Sequence, residues 1–212
     1  MEFLLQLDTD VFLAINGWHA FILDPIMILF SHRHTWILMY VALAFVLWCY
    51  FGWQRTLVAI AIIGVSAGLS DFICASCIRP FFERMRPSNP ENEISALVHL
   101  VNDYRSGKFG FPSCHAANTM ALAMLSSLIL CNRGYTIFIF GWALLQCYSR
   151  LYLGVHYLGD LIVGSAIGII FASIVYDIVS RYVDFSERNA KATTLPVYLV
   201  AAAIMIYIVW TR

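Results

Sequence analysis

Ser149 and Arg150, then five residues to His156 and three more to Asp160, bring a hydroxyl, a guanidinium, an imidazole and a carboxylate close together in the chain. Four residues apart, His156 and Asp160 share one face of a helix within side-chain reach. An aspartate that accepts the proton of one imidazole nitrogen fixes the tautomer and leaves the lone pair of the other nitrogen free to attack phosphorus. The plainer reading, an interfacial histidine held by a neighbouring acid, accounts for the pair alone.

Two more clusters carry matching chemistry. Arg79 is followed after six residues by Arg86-Pro87, and Pro112-Ser113-Cys114-His115 leads into an apolar run. Ser113 is a good N-cap, and the free amides beyond it, at the positive end of the helix dipole, form a natural seat for phosphate. His115 lies in that first turn, with Asn118 and Thr119 one turn on. The forks of Arg79, Arg86 and Arg150 are suited to ring the oxygens of a phosphoryl group, where catalysis is mainly positioning and charge stabilisation. Arg84 reads as an interfacial anchor facing elsewhere. Arg105 and Lys108 are placed to meet a second phosphate or a sugar, or simply to keep a loop soluble.

What must position these groups is a membrane bundle. The 212 residues are 61% hydrophobic and 12% charged, far below the roughly 25% charged of a soluble domain. Ionisable residues in such a setting are costly and mark functional polar pockets. The balance of 13 basic and 13 acidic residues gives no sign of nucleic acid binding. The start of the chain has no basic n-region and no small-residue cleavage site, so the first membrane helices serve as the insertion signal.

Apolar runs predict an all-α fold of about six transmembrane helices: Trp36 to Phe51, Thr56 to Cys77, Ala116 to Cys131, Tyr135 to Ser149, Tyr157 to Val179 and Leu195 to Trp210. Before them, Leu4 to Ile15 mixes apolar residues with Asp8 and Asp10, as an N-terminal interfacial helix does, and Asp24-Pro25 breaks the next run. Within the long loop, Ile94, Leu97, Val98 and Val101 fall at helical spacing and predict a short surface helix. All three chemical clusters then lie on one membrane face. Lys and Arg do not orient the protein: the opposite face holds Arg55, Arg133, Arg181, Arg188 and Lys191, matched by five on the site face once Arg79, Arg86 and Arg150 are set aside. The six cysteines (Cys49, Cys74, Cys77, Cys114, Cys131, Cys147) read as small packing residues, and Cys74-x-x-Cys77 offers too few ligands for zinc. Gly164, Ser165 and Gly168 make a small-residue stripe suited to packing within the bundle or against another subunit, and the oligomeric state is not legible. The chain reads as one domain, 1–212, with its chemistry between 79 and 160.

At these residues the chain resembles the type 2 phosphatidic acid phosphatase superfamily, whose signature is Lys-x6-Arg-Pro, Pro-Ser-Gly-His, and Ser-Arg-x5-His-x3-Asp. The resemblance implies a metal-independent membrane phosphatase without a cofactor. His156 would attack phosphorus, Asp160 orient it and His115 protonate the leaving oxygen. Arg79, Arg86, Ser113, Cys114 and Arg150 would bind phosphate, and Arg105, Lys108 and Asn118 would touch the rest of the substrate. Arg79 stands where the family has Lys, and Cys114 where it has Gly. Small members with six spans act on envelope lipids from the periplasmic side of the bacterial inner membrane. The implied partner is therefore a phosphorylated lipid in the bilayer, undecaprenyl diphosphate or a lipid A phosphate foremost. A lipid phosphotransferase using the same intermediate, or a transporter with the same basic pocket, are the competing readings.

Overall fold

The computed structural model describes residues 2–187 and 189–211; Arg188, one of the cations assigned above to the far face, lies outside them. Among the described residues, eight α-helices make up the frame: α1 (Glu2–Gly17), α2 (Asp24–Ser31), α3 (Ile37–Phe72), α4 (Arg79–Phe82), α5 (Cys114–Leu130), α6 (Arg133–Tyr152), α7 (Leu158–Val179) and α8 (Leu195–Trp210). The element α3 is two arms joined at Gly52, whose φ of 74° a side chain would resist. A π-helical stretch, Ile73–Ile78, carries the second arm into α4. By length and composition, two continuous helical stretches suffice to cross a membrane, 33–82 and α7, with α5 and α8 as shorter apolar helices.

Capping explains where the helices begin. Ser113 Oγ accepts from the Ala116 amide and Asn132 Oδ1 from the Tyr135 amide, so α5 and α6 start two residues before the apolar runs do. Pro25 sits in the first turn of α2, where its missing N–H costs nothing, so the expected break at Asp24-Pro25 is a helix start. The expected helix near Ile94 is a correction. Only Ser95–Leu97 forms a single 3-10 turn, after which Val98 is extended. The His99 amide is taken by Asn16 Oδ1 at 2.7 Å, and Val101 buries itself against Tyr152, Leu153 and Val155. Tertiary partners, not helix bonds, satisfy this backbone.

Helix α5 is the centre of the bundle, packed on α3, α6 and α7. In lipid, hydrocarbon burial does not distinguish helix from helix, so close fit must hold them. A Cβ at Gly164 would run into the Ser113 carbonyl, and one at Gly168 into that of Ala117. The small-residue stripe thus seats α7 on the first turns of α5, within the bundle. Phe12, Leu47, Ala59, Leu125 and Ile139 fill the core with no exposure.

Candidate active site

The link Leu153 to His156 and the first turn of α7 set the catalytic geometry. Asp160 Oδ2 accepts from the Tyr157 amide at 3.1 Å, which caps α7, and lies 3.2 Å from His156 Nδ1. The other ring nitrogen, Nε2, is 2.7 Å from Arg86 Nη1. A guanidinium can only donate, so Nε2 is the acceptor and Nδ1 carries the proton. Burial, and next the charge of Arg86, hold the His156 pKa well below the usual imidazole value, so the ring is neutral near pH 7.

Arg86 is placed by the loop it crosses. Its amide donates to the Lys108 carbonyl at 3.0 Å and the Gly110 amide returns to Arg84 O at 2.9 Å, an isolated bridge between Met85 and Phe109. Its side chain donates Nε to Phe109 O and Nη1 to Val155 O. Burial, and then the charges of Arg150 and Arg79, bring its pKa down to about 10, still cationic at neutral pH.

The α5 N-terminus joins this centre directly, because the Ser113 amide donates to the Asp160 carbonyl at 3.0 Å. With Ser113 Oγ on Ala116 and Ser113 O on the Ala117 amide, the amides of Cys114 and His115 stand at the helix opening. Arg79 Nη2 donates to Pro112 O and to Cys114 Sγ, each at 3.0 Å. The two departures from the family pattern therefore touch, the Cys114 thiol accepting from Arg79. Arg150 Nη1 donates to Ser31 Oγ at 2.6 Å, and Ser149 Oγ turns back to the Gln146 carbonyl at 2.7 Å. The Nε atoms of Arg79 and Arg150 are buried donors that find no partner among the described residues.

His115 is fixed from behind by a residue that sequence reasoning missed. Gln146 donates its amide to Phe30 O, which turns Oε1 to His115 Nε2 at 3.0 Å. That nitrogen must carry a hydrogen, which leaves the lone pair of the neutral ring on Nδ1. Arg84 is a correction: it does not face elsewhere but bridges Asp8 at 2.7 Å and Asp160 at 3.1 Å, with its guanidinium 3.8 Å over the Tyr157 ring. Asp8, from α1, also accepts from the Gly159 amide at 2.9 Å. The charge in the N-terminal helix was the signal for it, though nothing nearby in sequence named its partner.

The weaker candidates lie apart from this centre. Lys108 pairs with Glu91, and Arg105 with Asp103 and the Ser88 carbonyl, on partly exposed loop. Asn118 donates to Asp71 Oδ1 at 3.3 Å on the wall of a cavity beside His115. All six cysteines are free thiols. Taken together, a neutral imidazole, three guanidinium groups whose charges are felt at Arg86 and the amides at the α5 opening share one end of the bundle, an arrangement chemically suited to a tetrahedral oxyanion.

The PAP2 superfamily model matches residues 59–184. A lipid A 4'-phosphatase of Bacteroides thetaiotaomicron is 43% identical over 168 residues, covering 79% of this chain and 75% of that protein. A second, from Porphyromonas gingivalis, is 36% identical over 178 residues, 84% of this chain and 75% of its own. The crystal structure of a transmembrane PAP2-type phosphatidylglycerolphosphate phosphatase from Bacillus subtilis shares the fold with a TM-score of 0.65 at 20% identity, covering 87% of this chain and 90% of that one.

Proposed function

The chain belongs to the PAP2 superfamily and is a phosphatase, and from that premise we propose that it removes a phosphate monoester from a lipid A-type glycolipid through a phosphohistidine. The observation that carries the chemistry is the lone pair of His156 Nε2, held by Arg86 at 2.7 Å while Asp160 holds the opposite nitrogen. The identity of 43% to a lipid A 4'-phosphatase supports the substrate class.

Substrate phosphate enters between Arg79, Arg86 and Arg150, its oxygens meeting the amides of Cys114 and His115, with Ser113 as a further donor. Arg86 Nη1 exchanges the imidazole for a phosphate oxygen, which frees Nε2. A substrate phosphate that enters as the monoanion passes its proton to His115 Nδ1, and as the bond from His156 Nε2 to phosphorus forms and the bond to the lipid oxygen breaks, His115 Nδ1 gives that proton to the leaving oxygen. His115 then takes a proton from water, which attacks the phosphohistidine and releases inorganic phosphate and neutral His156. Three guanidinium groups offset the charge throughout.

In this reading the two arms of α3 with α5, α6, α7 and α8 make six crossings of the bacterial inner membrane. The whole chain forms one phosphatase domain, α1 lies in the interface, and the site opens to the periplasm. The clustering of the site residues at one end of the bundle, where a lipid head group reaches them while its chains stay in the bilayer, supports this placement. The test is inorganic phosphate released by purified protein in detergent with chelator, across lipid A, phosphatidic acid, phosphatidylglycerol phosphate and undecaprenyl diphosphate. The highest kcat/KM is expected on lipid A. A dominant undecaprenyl diphosphate activity overturns the substrate, and release from none of them overturns the phosphatase reading.

A further inference from the structure

Two cavities meet at His115. One, of about 250 Å³, also holds Ser31, His32, Arg33, Tyr104 and Arg150; the other, of about 570 Å³, runs beside Asp71, Cys114 and Asn118. Arg33 and His115 stand on the walls of both, and His156 and Arg86 on neither. What fills them is therefore the substrate beyond the oxygen that His115 protonates, not the phosphoryl group in transfer. The two differ in charge. Asp71 repels an anion from the larger cavity, whereas no carboxylate among the described residues lines the smaller one, whose walls carry the guanidinium groups of Arg33 and Arg150 and the imidazoles of His32 and His115.

Arg33 is the cation at this end of the bundle that the mechanism leaves without a task. Arg84 is paired with Asp8 and Asp160, Lys108 with Glu91 and Arg105 with Asp103, while Arg79, Arg86 and Arg150 serve the phosphate in transfer. Arg33 is exposed and has no acid, carbonyl or ring partner among the described residues. Its backbone is nonetheless held firmly. Trp36, 2% exposed, donates Nε1 to Phe30 O at 2.8 Å, and Thr35 Oγ1 donates to Leu29 O at 2.6 Å, which pins the 3-10 turn Arg33–Trp36. The same link touches the phosphate site, because Ser31, two residues before Arg33, accepts from Arg150 Nη1 at 2.6 Å. We infer that Arg33, with His32 on the same wall, binds a second phosphate carried by the part of the lipid that leaves. This rests on the phosphatase reading and deepens it: the substrate has two phosphates, one cut and one recognised. The second has two sources, a distant position on a bisphosphorylated glycolipid or the inner phosphate of a diphosphate. A guanidinium fork meets either with charge-assisted hydrogen bonds, which water at an exposed site weakens in part.

The first test compares kcat/KM within two pairs of lipids: lipid A with both phosphates against lipid A bearing only the one removed, and undecaprenyl diphosphate against undecaprenyl phosphate. The ratio in each pair is measured for wild type, Arg33→Gln and Arg105→Gln, with melting curves in detergent to confirm folding. Arg33→Gln is expected to lower the ratio in one pair about tenfold, the size of one charge-assisted hydrogen bond. Arg105, already paired with Asp103, is expected to change it by less than about twofold. A fall in the glycolipid pair puts the second phosphate at a distant ring position. A fall in the diphosphate pair alone makes it the neighbouring phosphate, which upholds Arg33 and overturns the monoester substrate. Unchanged ratios in both pairs, or a larger fall for Arg105→Gln, overturn the inference and leave the phosphatase reading intact. The second test needs no catalysis: thermal shift in detergent compares each product that keeps its second phosphate with the same lipid free of phosphate. Wild type is expected to prefer the phosphorylated product, and Arg33→Gln to lose that preference; equal affinity of wild type for the two overturns the inference. The preference without phosphate release from any lipid upholds Arg33 and overturns the phosphatase reading instead.

Discussion

Asp160→Asn is the most informative single substitution because every contact the carboxylate makes is with a donor. Oδ2 faces the Tyr157 amide and His156 Nδ1, and Oδ1 faces Arg84 Nη1. Asparagine has one acceptor atom, and it serves best where two donors converge, so its NH₂ turns to Arg84. The His156 tautomer survives, yet the charge behind the ring is lost and a donor is left against a guanidinium. Losing a charge-assisted hydrogen bond costs about 1.5–3 kcal/mol and the unpaired contact about 1–3 kcal/mol. If roughly 3–4 kcal/mol of this reaches the transition state, kcat falls about 10²–10³-fold at about 1.36 kcal/mol per decade. Arg84→Gln in the same chain supplies an acceptor for the new NH₂, so the double variant recovers about tenfold over Asp160→Asn. The assay is phosphate release under saturating lipid for all four members of the cycle, with detergent melting curves to confirm folding. Strictly additive losses, or an Asp160→Asn enzyme as fast as wild type, would refute the assignment of donors and with it the tautomer.

His156→Ala should lower phosphate release at least about a thousandfold while the protein still melts cooperatively, and the acid-labile phosphoenzyme trapped in wild type should be absent. Because the folded pKa of His156 is lowered, the ring stays neutral to more acid pH than a free imidazole, whose pKa is about 6.5. The acid limb of the kcat profile is therefore expected below pH 6.5 in wild type, and Arg86→Met, which removes the nearest cation, should move it upward. The unfolded chain takes up a proton that the folded ring refuses, so this histidine's share of stability is present above about pH 6.5 and lost as the pH falls further, as melting temperatures would record. Gly168→Val drives a side chain into the Ala117 carbonyl, and helix displacement should cost about 1–3 kcal/mol or more, seen as a lower melting temperature and lost activity together.

How much of this was legible depended on the distance over which each group finds its partner. The spacing of His156 and Asp160 pointed to the right pair for a different reason than helix geometry: His156 stands before the extended Tyr157 N-cap, and the Asp160 carboxylate that caps α7 reaches back to it. The expectation that Arg84 faces elsewhere fails for a local reason: α4 ends at Phe82 and Glu83 turns left-handed at φ 45°, so the direction of Arg84 does not follow the helical phase of Arg79. Helical spacing also misled in the 88–111 loop, where burial of Val98 and Val101 is achieved by an extended strap tied to Asn16. Gln146 behind His115 carries no signal in its neighbourhood, and the charge of Asp8 in an apolar helix marks the residue without naming Arg84 or Gly159 as its partners. The small-residue stripe announced a close approach, and only the fold told which helix makes it.

The reach of Asp8 across the chain also orders events during synthesis. Its carboxylate emerges from the ribosome first, and its two partners, Arg84 and the Gly159 amide, come 76 and 151 residues later. The N-terminal helix therefore cannot complete its contacts until the first turn of α7 has been made. The carboxylate network behind His156 is thus assembled from segments made far apart in time, and a chain cut before residue 159 lacks both His156's neighbour Asp160 and the Gly159 amide that holds Asp8.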